Sequence, residues 1–223
     1  IDEPPPDRTI RTITGFLESL VLTAPIPEHM TGYSEGSSLE LERDASNFAA
    51  CLRGLLERDF AAYAKFDEYV KSVIPEFSSL KNTELGKDGR HWMVTFNTPE
   101  NPAGYAISFD ALSDGQKCFF LCGYLIALNA SNNHVVCMWD EPDSHLSIAE
   151  VGQLIVELRK MTNRGGQFIA TSHHPETIRK FSDETTIALI RKSQLDPALP
   201  KLLKDIDYHG DLIDSLIRDE VLG

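Results

Sequence analysis

The stretch HVVCMWDEPDSHLS, residues 134–147, decides the predicted fold. A short apolar run ends in two adjacent carboxylates, Asp140 and Glu141, and such a run is typical of a strand buried on both faces of a parallel sheet. Ligands of open α/β sheets bind outside the carboxyl ends of the strands. An acid there can hold Mg²⁺, and the next acid can polarise an attacking water. A solvated acidic pair that opens a turn before Pro142 would look the same, so the rest of the chain must decide.

The sequence around this stretch alternates between helix and strand periods. We predict an α/β unit with a mostly parallel sheet over residues 105–192. Its predicted elements are a helix over 115–130, a strand over 134–140, a helix over 147–162, a strand over 165–172, a short helix over 174–181 and a last strand over 185–192.

The first hundred residues follow a different pattern. Pro4 to Pro6 form a stiff lead-in, and a polar tail with a terminal helix follows the last strand. We predict a helix over 9–22, a loop over 24–38, a helix over 45–58 capped by Asp44, a helix over 60–73, a β-hairpin over 78–98 with its turn at 86–90, and a strand over 104–109.

The composition limits the class of protein. The chain has 223 residues, of which 42% are hydrophobic and 25% charged, which is ordinary for a globular protein with a sizeable core. No apolar run approaches the roughly 20 residues of a membrane span. The net charge of −13 argues against a broad basic face for nucleic acid, although DNA contact by another part of the protein stays open.

The four cysteines, Cys51, Cys118, Cys122 and Cys137, form no C-x-x-C pair, and three lie in apolar runs. This pattern indicates reduced, buried thiols in a cytoplasmic protein. Cys118 and Cys122 share a helix face, but no further metal ligands lie near them in the sequence.

Two further stretches are candidates for chemistry. FIATSHHP, residues 168–175, is an apolar strand that ends in Thr171, Ser172, His173 and His174, where a histidine can contact a phosphate or simply cap the next helix. ALSDGQKCFF, residues 111–120, sets a small polar turn against an apolar helix. Such a helix start binds anions through its amides and dipole, but it also fits a plain N-cap.

Taken together, these stretches resemble the C-terminal half of an ABC-type ATPase of the soluble RecF-like, SMC-like and OLD-type group. LSDGQ resembles the signature motif, VVCMWDE the Walker B motif and PDSHLS the D-loop, and His173 resembles the switch histidine. Residues 44–77 resemble the helical insert of these proteins. The resemblance covers roughly residues 39–192 and implies a P-loop NTPase fold that binds ATP and Mg²⁺.

The resemblance also implies roles for individual residues. Asp140 would orient Mg²⁺, Glu141 would be the general base, and His173 would contact the γ-phosphate. The remaining candidates would serve a second protomer. Ser113, Asp114 and Gly115 would bind its γ-phosphate, with weaker cases for the neighbouring Gln116 and Lys117, and Asp143 and Ser144 would lie at the dimer interface. Asp114 stands where transporters usually have Gly, although soluble members of the group often carry an acid there. The chain also departs at Ser147 and His174, where many relatives have His and Ser.

The largest departure is the lack of a G-x-x-x-x-G-K-[ST] sequence. Gly86-Lys87 lacks the upstream glycine and suits the hairpin turn. We therefore expect the phosphate-cradling lobe to precede Ile1, and the 223 residues alone to bind ATP weakly. The expected divisions are 1–38, a helix and loop continuing from that lobe; 39–104, the helical insert and hairpin; and 105–223, the ABC C-terminal lobe.

Three functions fit these observations. The first is a cytoplasmic ATPase that sandwiches ATP in a homodimer and drives an effector nuclease or toxin in DNA repair or phage defence. The second is a metal-dependent hydrolase or nuclease, in which Asp140, Glu141, Asp143, His145, His173 and His174 would hold two metal ions. The third is an interaction module that does not hydrolyse ATP, although Glu141 and His173 would have no use in it.

Overall fold

The computed structural model describes residues 8–132, 135–162, 165–181, 186–191, 193–206 and 210–217. The predicted lead-in at Pro4 to Pro6, the strand start at His134 and the ends of the last predicted strand, Thr185 and Lys192, lie outside these residues. The helices are α1 (Arg8–Glu18), α2 (Phe48–Arg58), α3 (Phe60–Val73), α4 (Asp114–Asn132), α5 (Ile148–Thr162), α6 (Pro175–Phe181) and α7 (Leu212–Ile217). The strands are β1 (Leu20–Thr23), β2 (Tyr33–Ser34), β3 (Phe77–Leu85), β4 (Gly89–Thr98), β5 (Asn101–Ser108), β6 (Val136–Asp140), β7 (Gln167–Thr171), β8 (Ile187–Ile190) and β9 (Leu199–Leu202).

A parallel sheet carries the stretch from which the fold was predicted. Its order is β1-β6-β7, with β6 in the centre. Both neighbours run parallel to β6, so all three strands end at one edge. The predicted parallel sheet flanked by helices is therefore confirmed.

Strand β1 corrects one prediction. The helix predicted over 9–22 ends at Glu18, and residues 20–23 pair with β6, with Val21 opposite Cys137. Thr23, the last residue of β1, is also buried. The sequence LVLT continues the apolar spacing of the helix, but it is only four residues long, and pairing with β6 gives its main chain hydrogen bonds inside the sheet.

The antiparallel sheet has β4 at its centre, with β3 along one side and β2 and β5 along the other. The hairpin prediction is confirmed: β3 and β4 pair from Phe77–Phe96 to Leu85–Gly89. Gly86 in the turn has a φ of +75°, a conformation that costs glycine little and other residues more. This turn holds the Gly86-Lys87 pair, whose place in a plain hairpin agrees with the sequence-based interpretation.

Helix α4 joins the two sheets into one core. Its side chains are buried on nearly every face, as expected for a helix that is apolar all round. Phe120 packs edge-on against Phe66, Phe77 and Phe109 on the antiparallel side. Cys137 and Trp139 of β6 belong to the same buried cluster, so this helix fixes the polar turn at its start relative to the parallel sheet.

The opposite face of the parallel sheet is more open. Leu22, Met138 and Ile169 lie opposite one another across β1, β6 and β7, and all three side chains are exposed. Helices α4 and α5 therefore cover one face of this sheet within the described residues, while an apolar row marks the other.

The end of the α/β unit also corrects a prediction. The last strand, expected within the parallel sheet, is β8, which pairs antiparallel with β9 in a separate two-stranded sheet. Leu203 and Ile206 form a small second core against Ala188 and Ile190. Strand β9 follows a polar loop and lies in the region predicted as tail, whose predicted helix is α7.

The start of α2 lies three residues later than predicted. The helix begins at Phe48 with Asn47 at its N-cap, whereas Asp44 belongs to the preceding loop. There Asp44 accepts hydrogen bonds from the ring of His29 and the amide of Ser46, each at 3.0 Å. Asp44 thus ties the loop after β1 to the start of α2.

Asp44→Asn should lower stability in a pH-dependent way. The hydrogen bond from His29 and those from Ser46 lower the pKa of Asp44 to about 2. Because the folded pKa lies below the unfolded value, the carboxylate stabilises the fold above about pH 4, and this contribution is lost as the pH falls towards 2. Solvent screens this side chain, which is 35% exposed, so we expect a loss of about 0.5–1 kcal/mol at pH 7. Urea unfolding at pH 7 and pH 2.5 measures it.

Asp88→Asn, in the exposed hairpin turn, is the control and should change stability little at either pH. A variant Asp44→Asn as stable as wild type at pH 7 would contradict the role of this carboxylate in the loop.

All four cysteines are free and buried, as predicted. Burial raises the pKa of the Cys118 and Cys122 thiols to about 12, which keeps both protonated and weak as metal ligands. No helix among the described residues is long and apolar enough to cross a membrane.

Candidate functional site

The predicted carboxylates lie where two parallel strands end side by side. Asp140 is the last residue of β6 and lies opposite Thr171, the last residue of β7. The Thr171 hydroxyl donates a hydrogen bond to Oδ1 of Asp140. The described residues form no hydrogen bond to the other oxygen, Oδ2, and the side chain is exposed. Asp140 thus presents one carboxylate oxygen to solvent at the carboxyl edge of the sheet.

Glu141 leaves the strand with an unusual backbone. Its φ is +49°, in the left-handed region that residues with a side chain rarely adopt. Its amide donates to the Thr171 hydroxyl oxygen at 3.1 Å, and its carbonyl accepts from the amide of Ser144 at 3.2 Å. These bonds at both ends of the residue hold the chain in a sharp turn after β6.

The turn brings together the two residues predicted to be catalytic. His173 Nδ1 lies 3.0 Å from Oε1 of Glu141, and the two side chains are 83% and 42% exposed. The Ser144 hydroxyl donates to Oε2 of Glu141 at 2.8 Å. Both oxygens of Glu141 therefore have partners, while the His173 ring stays open to a ligand.

Asp143 lies on the inner side of the same turn and is 3% exposed. Its Oδ2 accepts hydrogen bonds from the hydroxyls of Ser172 and Thr177. The Ser172 hydroxyl oxygen also accepts from the amide of His174 at 3.0 Å. Asp143 thus fixes the segment that carries His173. Its assignment to a dimer interface stays a prediction, and the inward carboxylate gives it a contact within its own chain.

The polar turn before α4 forms a capping box. The Ser113 amide donates to Oε1 of Gln116 at 2.9 Å, and the Gln116 amide donates to the Ser113 hydroxyl oxygen at 3.3 Å. This reciprocal pair satisfies two amides of the helix start. Ser113 and Asp114 are exposed. The turn therefore caps the helix and also presents two polar residues to solvent.

Gly115 and Asp114 connect this turn to the turn after β6. A Cβ at position 115 would lie 3.0 Å from the carbonyl oxygen of His145, so packing within the chain already requires a small residue there. Asp114 Oδ2 lies 3.6 Å from Nδ1 of His145. The candidate phosphate-binding turn and the candidate catalytic turn are thus neighbours within one chain.

Lys117 does not join the site. Its side chain is buried, and its ammonium group donates to the carbonyl of Pro27 at 2.8 Å. The weak case for Lys117 as a phosphate contact is therefore corrected: its long side chain turns inward and ties α4 to the loop after β1.

Two residues of the site have contacts that the sequence did not predict: Thr171 had no expected role, and Ser144 was expected only at the interface with a partner. The signal for Thr171 was present, since a polar side chain ends the strand next to the one that ends in Asp140. The contact of Ser144 with Glu141 depends on the left-handed turn, which the sequence does not indicate.

No group of three or more His, Cys, Asp or Glu side chains in the described part of the chain is arranged to hold a metal ion. Every ligand of the predicted two-metal site lies in that part. The side chains therefore lack the converging ligand set that such a hydrolase needs.

The parallel sheet with its helices and the antiparallel sheet joined to it through α4 form a mixed α/β domain, and its fold is similar to that of Smc head domains. Three solved structures have TM-scores of 0.50. The Smc head domain with a coiled coil and joint from Pyrococcus yayanosii is 17% identical, and the match covers 77% of this chain and 30% of that one. The SmcHead bound to the C-winged helix domain of ScpA is also 17% identical, with 68% and 46% covered. A third structure, described as "Structural biochemistry of ATP-driven dimerization and DNA stimulated activation of SMC ATPases", is 15% identical. That match covers 76% of this chain and 96% of the other.

Residues 23–179 match the AAA_21 family, described as "AAA domain, putative AbiEii toxin, Type IV TA system". This match spans well over half of the chain, and the chain belongs to this family of ATP-binding NTPases. A search of curated proteins gives no match. The chain spans less than half the length of the first two Smc structures.

Proposed function

We propose that this chain contains the catalytic carboxylates and the partner-facing turn of an ATPase that closes as a dimer around ATP. The observation that carries the proposal is the contact between Glu141 and His173, 3.0 Å apart, beside the exposed Asp140 in a chain of an ATPase family. In this proposal Glu141 is the base, His173 contributes a ring N–H and Asp140 contributes the oxygen that binds Mg²⁺, all at one edge of a parallel sheet.

Asp140 suits Mg²⁺ in this proposal. Mg²⁺ in phosphoryl-transfer sites is held by one or two carboxylates, waters and the substrate phosphates rather than by a protein cage. One oxygen of Asp140 is fixed by Thr171, and the other is directed to solvent. Mg·ATP, when bound, would supply the electrophilic phosphate and the ion that neutralises its charge.

Glu141 would accept the proton of the attacking water. The hydrogen bond from Ser144, 2.8 Å long, and the contact with His173 hold its carboxylate at the edge of the sheet. His173, with its exposed ring, would contact the terminal phosphate. Asp143 would hold this histidine in place through its hydrogen bond with Ser172, the preceding residue.

The exposed turn at Ser113 and Asp114 would complete the site of a second copy. The Ser113 hydroxyl and the α4 amides would bind the γ-phosphate held by the partner, with Asp114, Gly115 and Gln116 shaping the turn. One structural neighbour is described by the ATP-driven dimerization of SMC ATPases, and the common fold makes this a reasonable geometry to test here. Asp143 and Ser144 would lie near the resulting interface.

This proposal includes the assignment of the signature, Walker B, D-loop and switch motifs, and the relationship to RecF-like proteins. The 223 residues contain no G-x-x-x-x-G-K-[ST] sequence, so the phosphate cradle would come from another polypeptide segment. We further propose a cytoplasmic protein that drives an effector nuclease or toxin in DNA repair or phage defence, a setting that agrees with the toxin in the family description. With a net charge of −13, DNA contact would fall to other parts of the protein.

The test is the mass of the full natural protein in solution, measured by light scattering with Mg·ATP, with Mg·ADP and without nucleotide. The Glu141→Gln background prevents turnover during the measurement. We expect the mass to double with ATP only. An unchanged mass, together with no ATP hydrolysis by wild type, would overturn the proposal.

A further inference from the structure

The Thr171 hydroxyl lies between the two site carboxylates. It donates to Oδ1 of Asp140 and accepts from the amide of Glu141 at 3.1 Å. A single hydroxyl therefore uses both its donor and an acceptor position on consecutive residues of the neighbouring strand end.

These two bonds constrain different features. The bond to Asp140 fixes the rotation of that carboxylate, so that the same oxygen always turns away from Thr171. The bond from Glu141 holds a residue whose φ of +49° is otherwise disfavoured. Without the hydroxyl, the first carboxylate could rotate and the turn that carries the second could relax.

Thr171 is poorly placed for a role in the core. Its side chain is exposed, it ends an edge strand, and it does not belong to either buried cluster. His173 follows it by two residues, so Thr171 also starts the segment that carries the third site residue.

We propose that Thr171 is a positioning residue that sets the Mg²⁺-facing oxygen of Asp140 and the turn of Glu141 through one hydroxyl group. This inference rests on the proposed ATPase function. Hydrogen-bonding partners of metal ligands commonly alter metal affinity or activity by about 10- to 100-fold when removed.

The test compares Thr171→Val, which keeps the shape but removes the hydroxyl, with Thr171→Ser, which restores it, in the full natural protein. We expect Val to lower kcat for ATP hydrolysis about 10- to 30-fold and to raise the half-saturating Mg²⁺ concentration about fivefold. The KM for ATP should change less than about twofold. The Ser variant should recover most of the loss. Thr83→Val, a partly buried position in β3, is the matched control and should retain wild-type kinetics.

A second measurement does not need ATP. Hydrogen exchange of the Glu141 amide should be faster in the Val variant and close to wild type in the Ser variant. Equal exchange in wild type and Val would overturn the contact, whether or not ATP is hydrolysed. Wild-type Mg²⁺ dependence and kcat in the Val variant would overturn the positioning role. A wild-type protein that hydrolyses no ATP would instead overturn the proposed function.

Discussion

Glu141→Gln in the full natural protein is expected to slow ATP hydrolysis by at least about 100-fold while ATP binding is retained, because a positioned general base contributes about 10²- to 10⁴-fold to rate. Glutamine has nearly the shape of glutamate and can still accept the hydrogen bond from Ser144. It cannot take a proton from water. The variant therefore removes the chemistry while leaving the turn after β6 intact. Single-turnover hydrolysis and equilibrium ATP binding measure the two effects separately.

Glu150→Gln is the matched control. Glu150 lies in the first turn of α5, where it accepts a hydrogen bond from the Ser147 amide at 2.8 Å, and has no role in the proposed chemistry. The same substitution there should leave hydrolysis within about twofold of wild type. If Glu141→Gln turned over ATP at the wild-type rate, Glu141 would not be the base, and the contact with His173 would need another explanation.

The parts of the fold that the sequence predicted are those with strong local patterns. The hairpin carries a glycine turn between alternating runs, α4 is apolar over most of its surface, and the runs that end in Asp140 and Thr171 are short and β-rich. In these segments local preference and tertiary environment agree, so either is enough to identify the element.

The predictions that were wrong concern segments whose structure depends on residues far away in the sequence. Residues 20–23 form a strand because β6 lies beside them, and β8 pairs with β9 rather than with the parallel sheet. Asp44 has the side chain of an N-cap, but it lies four residues before the first residue of the helix, where the distant His29 binds it. Local preference could not reveal these partners.

The site shows the same division. Asp140, Glu141 and His173 were found because they end buried strands, and strand ends meet at one edge in a parallel sheet. The buried carboxylate of Asp143, the inward ammonium of Lys117 and the double contact of Thr171 could not be read from residue type. Each depends on a side-chain direction set by packing of residues far apart in the chain.

Ser113→Arg should abolish the ATP-dependent dimer while one protomer still binds ATP. Ser113 is exposed and caps α4, so a long side chain there would project from the surface that meets the partner's phosphate. Loss of the cap should also cost about 0.5–2 kcal/mol of stability. Ser113→Ala removes the cap and the hydroxyl without adding bulk, so it should weaken the dimer less than Ser113→Arg does, because the α4 amides remain. Ser193→Arg adds the same charge on an exposed loop and should keep the dimer. Light scattering with Mg·ATP measures the mass of each of the three variants in solution and so shows which of them still form the dimer.

Mixing the two inactive variants gives the sharpest test of the shared site. If each ATP lies between the Glu141 of one protomer and the Ser113 turn of the other, a mixed dimer of Glu141→Gln and Ser113→Arg has one site with both groups intact. Equal mixing should then restore hydrolysis, up to about a quarter of the wild-type rate, since half of the dimers are mixed and half of their sites are whole. If both groups served the same protomer, every site would carry one defect and mixing would restore nothing. The Ser113 turn would then act at the site of its own chain and not at the ATP of a partner.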